Sequence, residues 1–423
     1  MMISIGPHRL SFVRVSASVL ILLAGTTLVA SAAEYGGGNG TSESPFLVSS
    51  AEQFAMIGEN PGDWDKHFEL VADIDLTDCN ETNLHMIGKW DYLGSPHNNP
   101  FRGHFDGGGR TLSGFRYKDM ESQYVGLFQY VTGVITNLKM VGPTVTGNGM
   151  GTGALVGYLE SGGITDCTVA AAKVTGDMGV GALVGSADGN VYTSRSNGAV
   201  TGVRYVGGLI GQVGKGIIAR SYSKATVVGN ESVGGLLGSV LNQSGIVESC
   251  YATGPVQGSL YIGGLVGQLV AGGIWRSYSM RTVTGAQSAG GLVGYRRALS
   301  SEYASFWDIE TSTQATSVCG IGKTTVEMKT FSTYADVNWD FMATWAMCDG
   351  VSYPIFLWQL PVGDLRCPDG VNFADFVLFA ANWRHDDCGV LNYSCQGADL
   401  DGSGEIDSRD LALFADHWMA GVD

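Results

Sequence analysis

Proline is scarce in this chain, with 10 residues in 423, and charged side chains make up only 15 % of it. Too little proline, and 63 glycines that follow no three-residue period, exclude a collagen. Basic residues are fewer than acidic ones, 24 against 40, for a net charge of −16. That balance argues against a nucleic-acid partner, which needs clustered Lys and Arg. No segment reaches the roughly 20 apolar residues of a membrane-spanning helix. No C-x-x-C pair exists, so neither a zinc ribbon nor a thioredoxin site is expected. H-E-x-x-H and G-x-S-x-G are both absent, which removes the signatures of a metallopeptidase and of an α/β-hydrolase. Gly322-Lys323-Thr324 resembles the end of a phosphate-binding loop, but Ser317 stands where its first glycine is required, so no nucleotide is expected. What remains is a chain that is 44 % apolar, enough to bury a core.

Residues 1–32 read as an export signal. Arg9 and Arg14 precede an apolar run from Val19 to Ala30, and Ala30-Ser31-Ala32 offers small residues for cleavage. The mature protein is then expected to be secreted. Export permits disulfides. Cys388 and Cys395 are placed to staple the tail, and Cys319 and Cys348 to close the segment before it, with the connectivity left open.

The middle of the chain is a repeat. Gly153-Ala154-Leu155-Val156-Gly157 recurs as Gly181–Gly185, Gly207–Gly211, Gly234–Gly238, Gly263–Gly267 and Gly290–Gly294, after a looser copy at Val125–Phe128. The central leucines, 127, 155, 183, 209, 236, 265 and 292, are 28, 28, 26, 27, 29 and 27 residues apart. Each repeat also holds an Ile or Val three residues before a small residue (Ile164…Cys167 to Ile274…Ser277) and a Val-x-Gly (Val145 to Val283). Nothing recurs at 3.6, and glycine is unfavourable inside a helix. Three short strands per turn, stacked in register, predict a parallel β-helix of about 27-residue coils whose leucines form one interior column. Glycine at the corners is expected to supply positive φ and close backbone approach. Cys167 and Cys250, three coils apart, are expected as small interior residues.

These repeats resemble the GLUG-motif family of secreted bacterial adhesin-like proteins. The resemblance extends to lead-in coils around Asp73–Leu76 and Phe101–Gly109 and to a run-out at Phe306–Asp308 and Gly322–Met328. It implies a β-helical stalk or adhesive surface and no reaction. The expected organisation is a leader (1–32), lead-in coils and cap (33–123), repeat β-helix (124–310), run-out cap (311–361) and a small helical tail (362–423).

Composition shifts at Pro361. Residues 364–423 carry twelve Asp or Glu against Arg366, Arg384 and Arg409. Asp375–Ala380 followed by Trp383 recurs 35 residues later as Asp410–Ala415 followed by Trp418. Apolar residues on one face of each segment predict two amphipathic helices that bury those faces together. Asp399, Asp401, Ser403, Asp407 and Asp410 occupy positions 1, 3, 5, 9 and 12 of an EF-type calcium loop. Gly404 makes the turn, and Glu405 offers its carbonyl at position 7. The earlier copy keeps acceptors only at Asp364, Asn372 and Asp375, and a weaker Ca²⁺ site is expected there.

The duplicated loop–helix tail resembles a type I dockerin. That resemblance implies calcium-dependent docking onto a cohesin-like or cell-surface protein. It places docking residues at Phe373-Ala374 and Ser408-Arg409.

Tyr222, Tyr251 and Tyr278 share one column and are expected to point outward, either as a packed ladder or as a surface for sugar faces. Acidic residues between 124 and 300 are six in number, and none recurs at the period, so no paired carboxylates for glycoside cleavage are implied. The reading is a secreted, non-catalytic β-helical binding or scaffold protein, with polysaccharide as a candidate ligand. The alternative is a carbohydrate-active β-helix enzyme, lyase or hydrolase, carrying the same tail.

Overall fold

The computed structural model describes residue 1 and residues 34–79, 82–94, 96–366, 369–388, 395 and 397–421; the rest of the expected leader lies outside the described residues. Among the described residues no helix is long and apolar enough to cross a membrane.

Three parallel sheets wind into a stack of rungs. A seven-stranded sheet runs from Phe128–Val131 through Val156–Leu159, Val184–Ala187, Ile210–Val213, Leu237–Val240 and Val266–Leu269 to Val293–Arg296. A ten-stranded sheet runs from Phe46–Val48 to Ser300–Tyr303, and the Val-x-Gly segments lie in a third. The repeat dictates this. Each aliphatic residue of one rung pairs with its counterpart in the next, as in Ile210↔Leu237 and Val200↔Val227. The leucines at 127, 155, 183, 209, 236, 265 and 292 are all fully buried, and from Leu155 to Leu265 each backbone N–H donates to the following leucine's carbonyl. They form one spine. At its N-terminal end the helix Ala51–Glu59, capped by Ser50, lays Phe54 and Ile57 over the core.

Two features of the rungs depart from expectation. The motif glycines at 153, 181, 207, 234, 263 and 290, and their partners from 157 to 294, do not adopt positive φ. They are glycine because a Cβ would strike backbone: at Gly238 it would stand 2.3 Å from Tyr205 C, and at Gly207 1.9 Å from Ile210 O. Positive φ is taken by other glycines of the rungs, among them Gly162, Gly179 and Gly272, and by non-glycine corner residues, one column being Asn137, Asp166, Thr193, Arg220, Ser249, Arg276 and Ala304. Immediately after each corner of that column, from residue 167 on, comes the small interior residue. The Ser194, Ser221, Ser277 and Ser305 hydroxyls each accept the N–H of the rung before and donate to a carbonyl two residues back. Cys167 and Cys250 take the same column as free, buried thiols, which burial pushes up to about 12. Cys319 is likewise free and buried while Cys348 is disulfide-bonded, so these two do not pair with each other.

The second departure concerns the tyrosine column. Tyr222, Tyr251 and Tyr278 do point out of their sheet and stack, with ring centroids 4.7 and 5.1 Å apart. They are not exposed. The run-out turns back over them: Trp345 and Phe356, on the antiparallel hairpin Trp345–Ala346/Ile355–Phe356, pack on the rings, and Tyr278 Oη donates to the Pro354 carbonyl at 2.6 Å. Tyr251 Oη donates to Gln359 Oε1 at 2.8 Å, and Trp358 stacks on Tyr222 with the Arg195 guanidinium 5.1 Å from its ring. The column therefore offers no open face to a sugar, and its aromatic surface holds the cap.

Candidate metal centre

The tail holds two helices, Phe373–Ala381 and Ser408–Asp416, each begun by a capping box. The boxes use the acidic residues that the loop reading singled out. Asp410 is fully buried. Its Oδ1 accepts from the N–H groups of Leu400 (2.7 Å) and Asp401 (3.1 Å), and its Oδ2 from Asp407 N at 2.9 Å. Asp375 repeats the pattern with Leu365, Arg366 and Asn372. Burial of a carboxylate is unfavourable without such donors. No Lys or Arg ion pair reaches either group among the described residues.

Around these two anchors the carboxylates converge. Asp399, Asp401 and Asp410 offer oxygens that all lie within 4.8 Å of one another, and so do Asp364, Asp369 and Asp375. The Asp399 carboxylate accepts from Ser403 N and Gly404 N at 3.0 Å each, which folds the loop around it. Ser403 holds Asp401 below the usual carboxylate range through its hydroxyl and its N–H. Ser403 Oγ and the Glu405 carbonyl lie 3.1 Å apart, so these two candidate donors face each other. An all-oxygen set with no His or Cys suits a hard divalent cation such as Ca²⁺ better than Zn²⁺. The residues fit the ion.

Two expected ligands have other work. Asp407 Oδ1 accepts from Arg409 N at 2.7 Å, and Asn372 Oδ1 from Ala374 N at 2.8 Å; both are helix caps. Asn372 is replaced in its cluster by Asp369, which the loop spacing did not select. The signal was present in the shifted glycine: Gly370 stands one residue later than Gly404 does in its loop, and the displaced position 6 carries a carboxylate.

The helices do not bury both apolar faces. Phe379 and Phe414 stack with centroids 5.1 Å apart inside a small core with Val371, Ala398 and Ile406. Phe373, Phe376, Leu411 and Trp418 instead line an open apolar groove, Phe373 being 71 % exposed. Cys388 and Cys395 are disulfide-bonded between the helices.

Elsewhere four of the six acidic residues of the repeats are engaged. Glu160 and Asp188 accept from the phenols of Tyr130 and Tyr158, while Glu231 and Glu248 pair with Arg204 and Arg276. In the lead-in coils Asp75 and Asp106 cap turns at Thr77 and Gly108. Ile321–Lys323 is a strand beside Phe306–Asp308, not a phosphate loop.

Comparison with known proteins places a GLUG motif at residues 229–256. A protein of Evansella cellulosilytica, provisionally named a Gly-rich membrane protein, is 35 % identical over 128 residues, 30 % of this chain. Halomucin of Haloquadratum walsbyi is 28 % identical over 177 residues, 42 % of this chain. The chain spans only 14 % and 2 % of the lengths of these relatives. A solved structure from Bacteroides ovatus, provisionally described as an immunoglobulin A1 protease, superposes with a TM-score of 0.52 at 22 % identity. That match covers 77 % of this chain and 96 % of the other. It supports the β-helical fold.

Proposed function

We propose that this is an exported, non-catalytic surface protein of the adhesin type. Its β-solenoid presents a binding face, and its two-helix tail, stabilised by calcium, docks it to a cohesin-like or cell-surface partner. The observation that carries the reading is the duplicated tail: two carboxylate clusters, each gathered within 4.8 Å, at the base of two helices that leave an apolar groove open. Calcium would tie each loop to the start of its helix and so set the angle between the groove walls. Asp399, Asp401 and Asp410, with Ser403 and the Glu405 carbonyl, would hold the ion in the second loop; Asp364, Asp369 and Asp375 would hold it in the first. Phe373 at the groove rim, together with Ala374, Ser408 and Arg409, would meet the partner. The names of the relatives, a membrane protein and a halomucin, agree with a place at the cell surface. The engagement of four of the six repeat carboxylates by Tyr or Arg supports a scaffold over an acid–base enzyme.

Binding of the purified full-length protein to the envelope fraction of its producing cell, measured with calcium and then with chelator, tests this. Retention with calcium and release by chelator is expected. Retention indifferent to chelator, or none in either condition, overturns it.

A further inference from the structure

The outer face of the seven-stranded sheet carries a column of side chains with no charge in it. Register sets Tyr158, Ser186, Gln212, Ser239, Gln268 and Tyr295 on successive rungs, with Ser186 and Ser239 buried between the larger, half-buried side chains. Across the tight glycine–leucine turn lies a second column at positive φ, in which Gly179 is followed by Tyr205 (φ 55°), Ser232 (56°) and Tyr261 (60°). Gly179 shows that glycine fits there. The later rungs nevertheless place phenol and hydroxyl groups, in a conformation that disfavours any side chain.

The columns are joined. Ser232 Oγ donates to Gln268 Oε1 at 3.2 Å, and the Tyr261 and Tyr295 rings are 4.6 Å apart. Gln212 Nε2 donates to Ser186 Oγ at 2.8 Å. Each glutamine is thus oriented by one end of its amide. The other ends, Gln212 Oε1 and Gln268 Nε2, engage no group among the described residues. Both amides and the rings of Tyr205, Tyr261 and Tyr295 are half-buried, fixed in place and still open to solvent on one side. Of the charges nearest in sequence, Arg204 pairs with Glu231 and lies over the Tyr205 ring, Arg296 donates to the hydroxyl and carbonyl of Ser300, and Asp188 takes the Tyr158 hydroxyl.

We propose that this face binds an uncharged polysaccharide laid along the solenoid axis. Oriented amides hydrogen-bond hydroxyls at either end without a charge requirement, and phenol rings pack on the apolar faces of pyranoses. Gln212 and Gln268 stand two rungs apart, about 9.6 Å at a strand spacing of about 4.8 Å, so a polymer of repeating sugars can repeat its contacts along the row. An extended peptide is a poorer occupant, because it would need an unpaired strand edge, and strands at these rungs are paired on both sides. The proposal deepens the surface-protein reading by naming a ligand class for the solenoid.

Native electrophoresis of the purified full-length protein through gels containing a soluble β-glucan, a galactomannan or polygalacturonate tests it. Retardation by at least one of the two neutral glycans, undiminished by high salt, is expected. Gln212→Ala with Gln268→Ala should weaken that binding about tenfold or more, two hydrogen bonds being lost, with circular dichroism unchanged. Gln268→Glu, which keeps the shape, should weaken it as well. No retardation by either neutral glycan, retention only by polygalacturonate, or variants that bind like the parent would overturn the proposal. Surface attachment is scored separately. Lost glycan retention with chelator-sensitive attachment intact overturns this proposal alone, and the converse overturns only the docking reading.

Discussion

A Cβ added at Gly238 would stand 2.3 Å from Tyr205 C and 2.4 Å from Val206 N, both of them backbone atoms of the preceding rung. Neither can rotate away, so the rung itself must shift. Gly238→Ala is expected to destabilise the protein by about 3 kcal/mol, at the upper end of overpacking penalties, read as a lower midpoint in urea. The buried hydroxyl ladder makes a second prediction at this scale. Ser277 accepts the Cys250 N–H, so Ser277→Ala leaves that donor buried and unpaired, at about 1–3 kcal/mol. Ser277→Cys should be milder, because cysteine already fills this column at 167 and 250. Equal losses in the two variants would mean that a thiol does not substitute for the hydroxyl in this column. In the tail, Asp401→Ala should lower calcium affinity more than Asp369→Ala. The second loop adds Ser403 and the Glu405 carbonyl to its carboxylates, whereas the first offers Arg366 where Asp401 stands; titration calorimetry reads the difference.

Among elements, the run-out cap and the tail helices should each respond to their own solution condition. The cap is pinned by Asp308, which is buried and accepts from Tyr353 Oη, Thr325 Oγ1 and two backbone N–H groups. Burial pushes this carboxyl up, but the hydrogen bonds, Tyr353 foremost, outweigh it and hold the group below its ordinary value. A depressed folded pKa means that the stabilisation is complete above the unfolded value, about 3.9. It is lost as pH falls through the lower folded value. Acid should therefore loosen the cap, seen as a change in fluorescence of the buried Trp339 and Trp345, and Asp308→Asn should shift or remove that acid step. For the tail, calcium at one hundred times its Kd should stabilise the helices by about 2.7 kcal/mol per site. A tail melting transition that chelator leaves unmoved would count against the loops as calcium sites.

For the whole molecule, chelator should free the protein from its surface while the solenoid's melt stays where it was. The core from Val48 to Cys319 contains no member of the carboxylate clusters, so loss of the ion has no route into it except through the cap. Far-UV circular dichroism of the strands, followed with and without chelator, checks this.

The repeat was legible in the sequence because a solenoid copies its environment at every rung: the same depth, the same neighbours above and below, and hence the same residue at 127, 155 and onward to 292. The convergence of Asp399, Asp401 and Asp410 was legible because a short loop that turns back on itself brings residues at set intervals together. What the glycines do was not. Their frequency fits both positive φ and close approach, and only the packed backbone distinguishes a Cβ collision at Gly207 from a left-handed corner at Tyr205. The fate of Tyr222, Tyr251 and Tyr278 was equally hidden. Alternation says which way a side chain leaves its sheet, but a cap arriving from residues 345–359 decides whether it meets water. Local periodicity fixes the rungs and the loops through contacts between near neighbours in the pattern. Long-range return of the chain, which no period records, decides which of the outward faces remain open for binding.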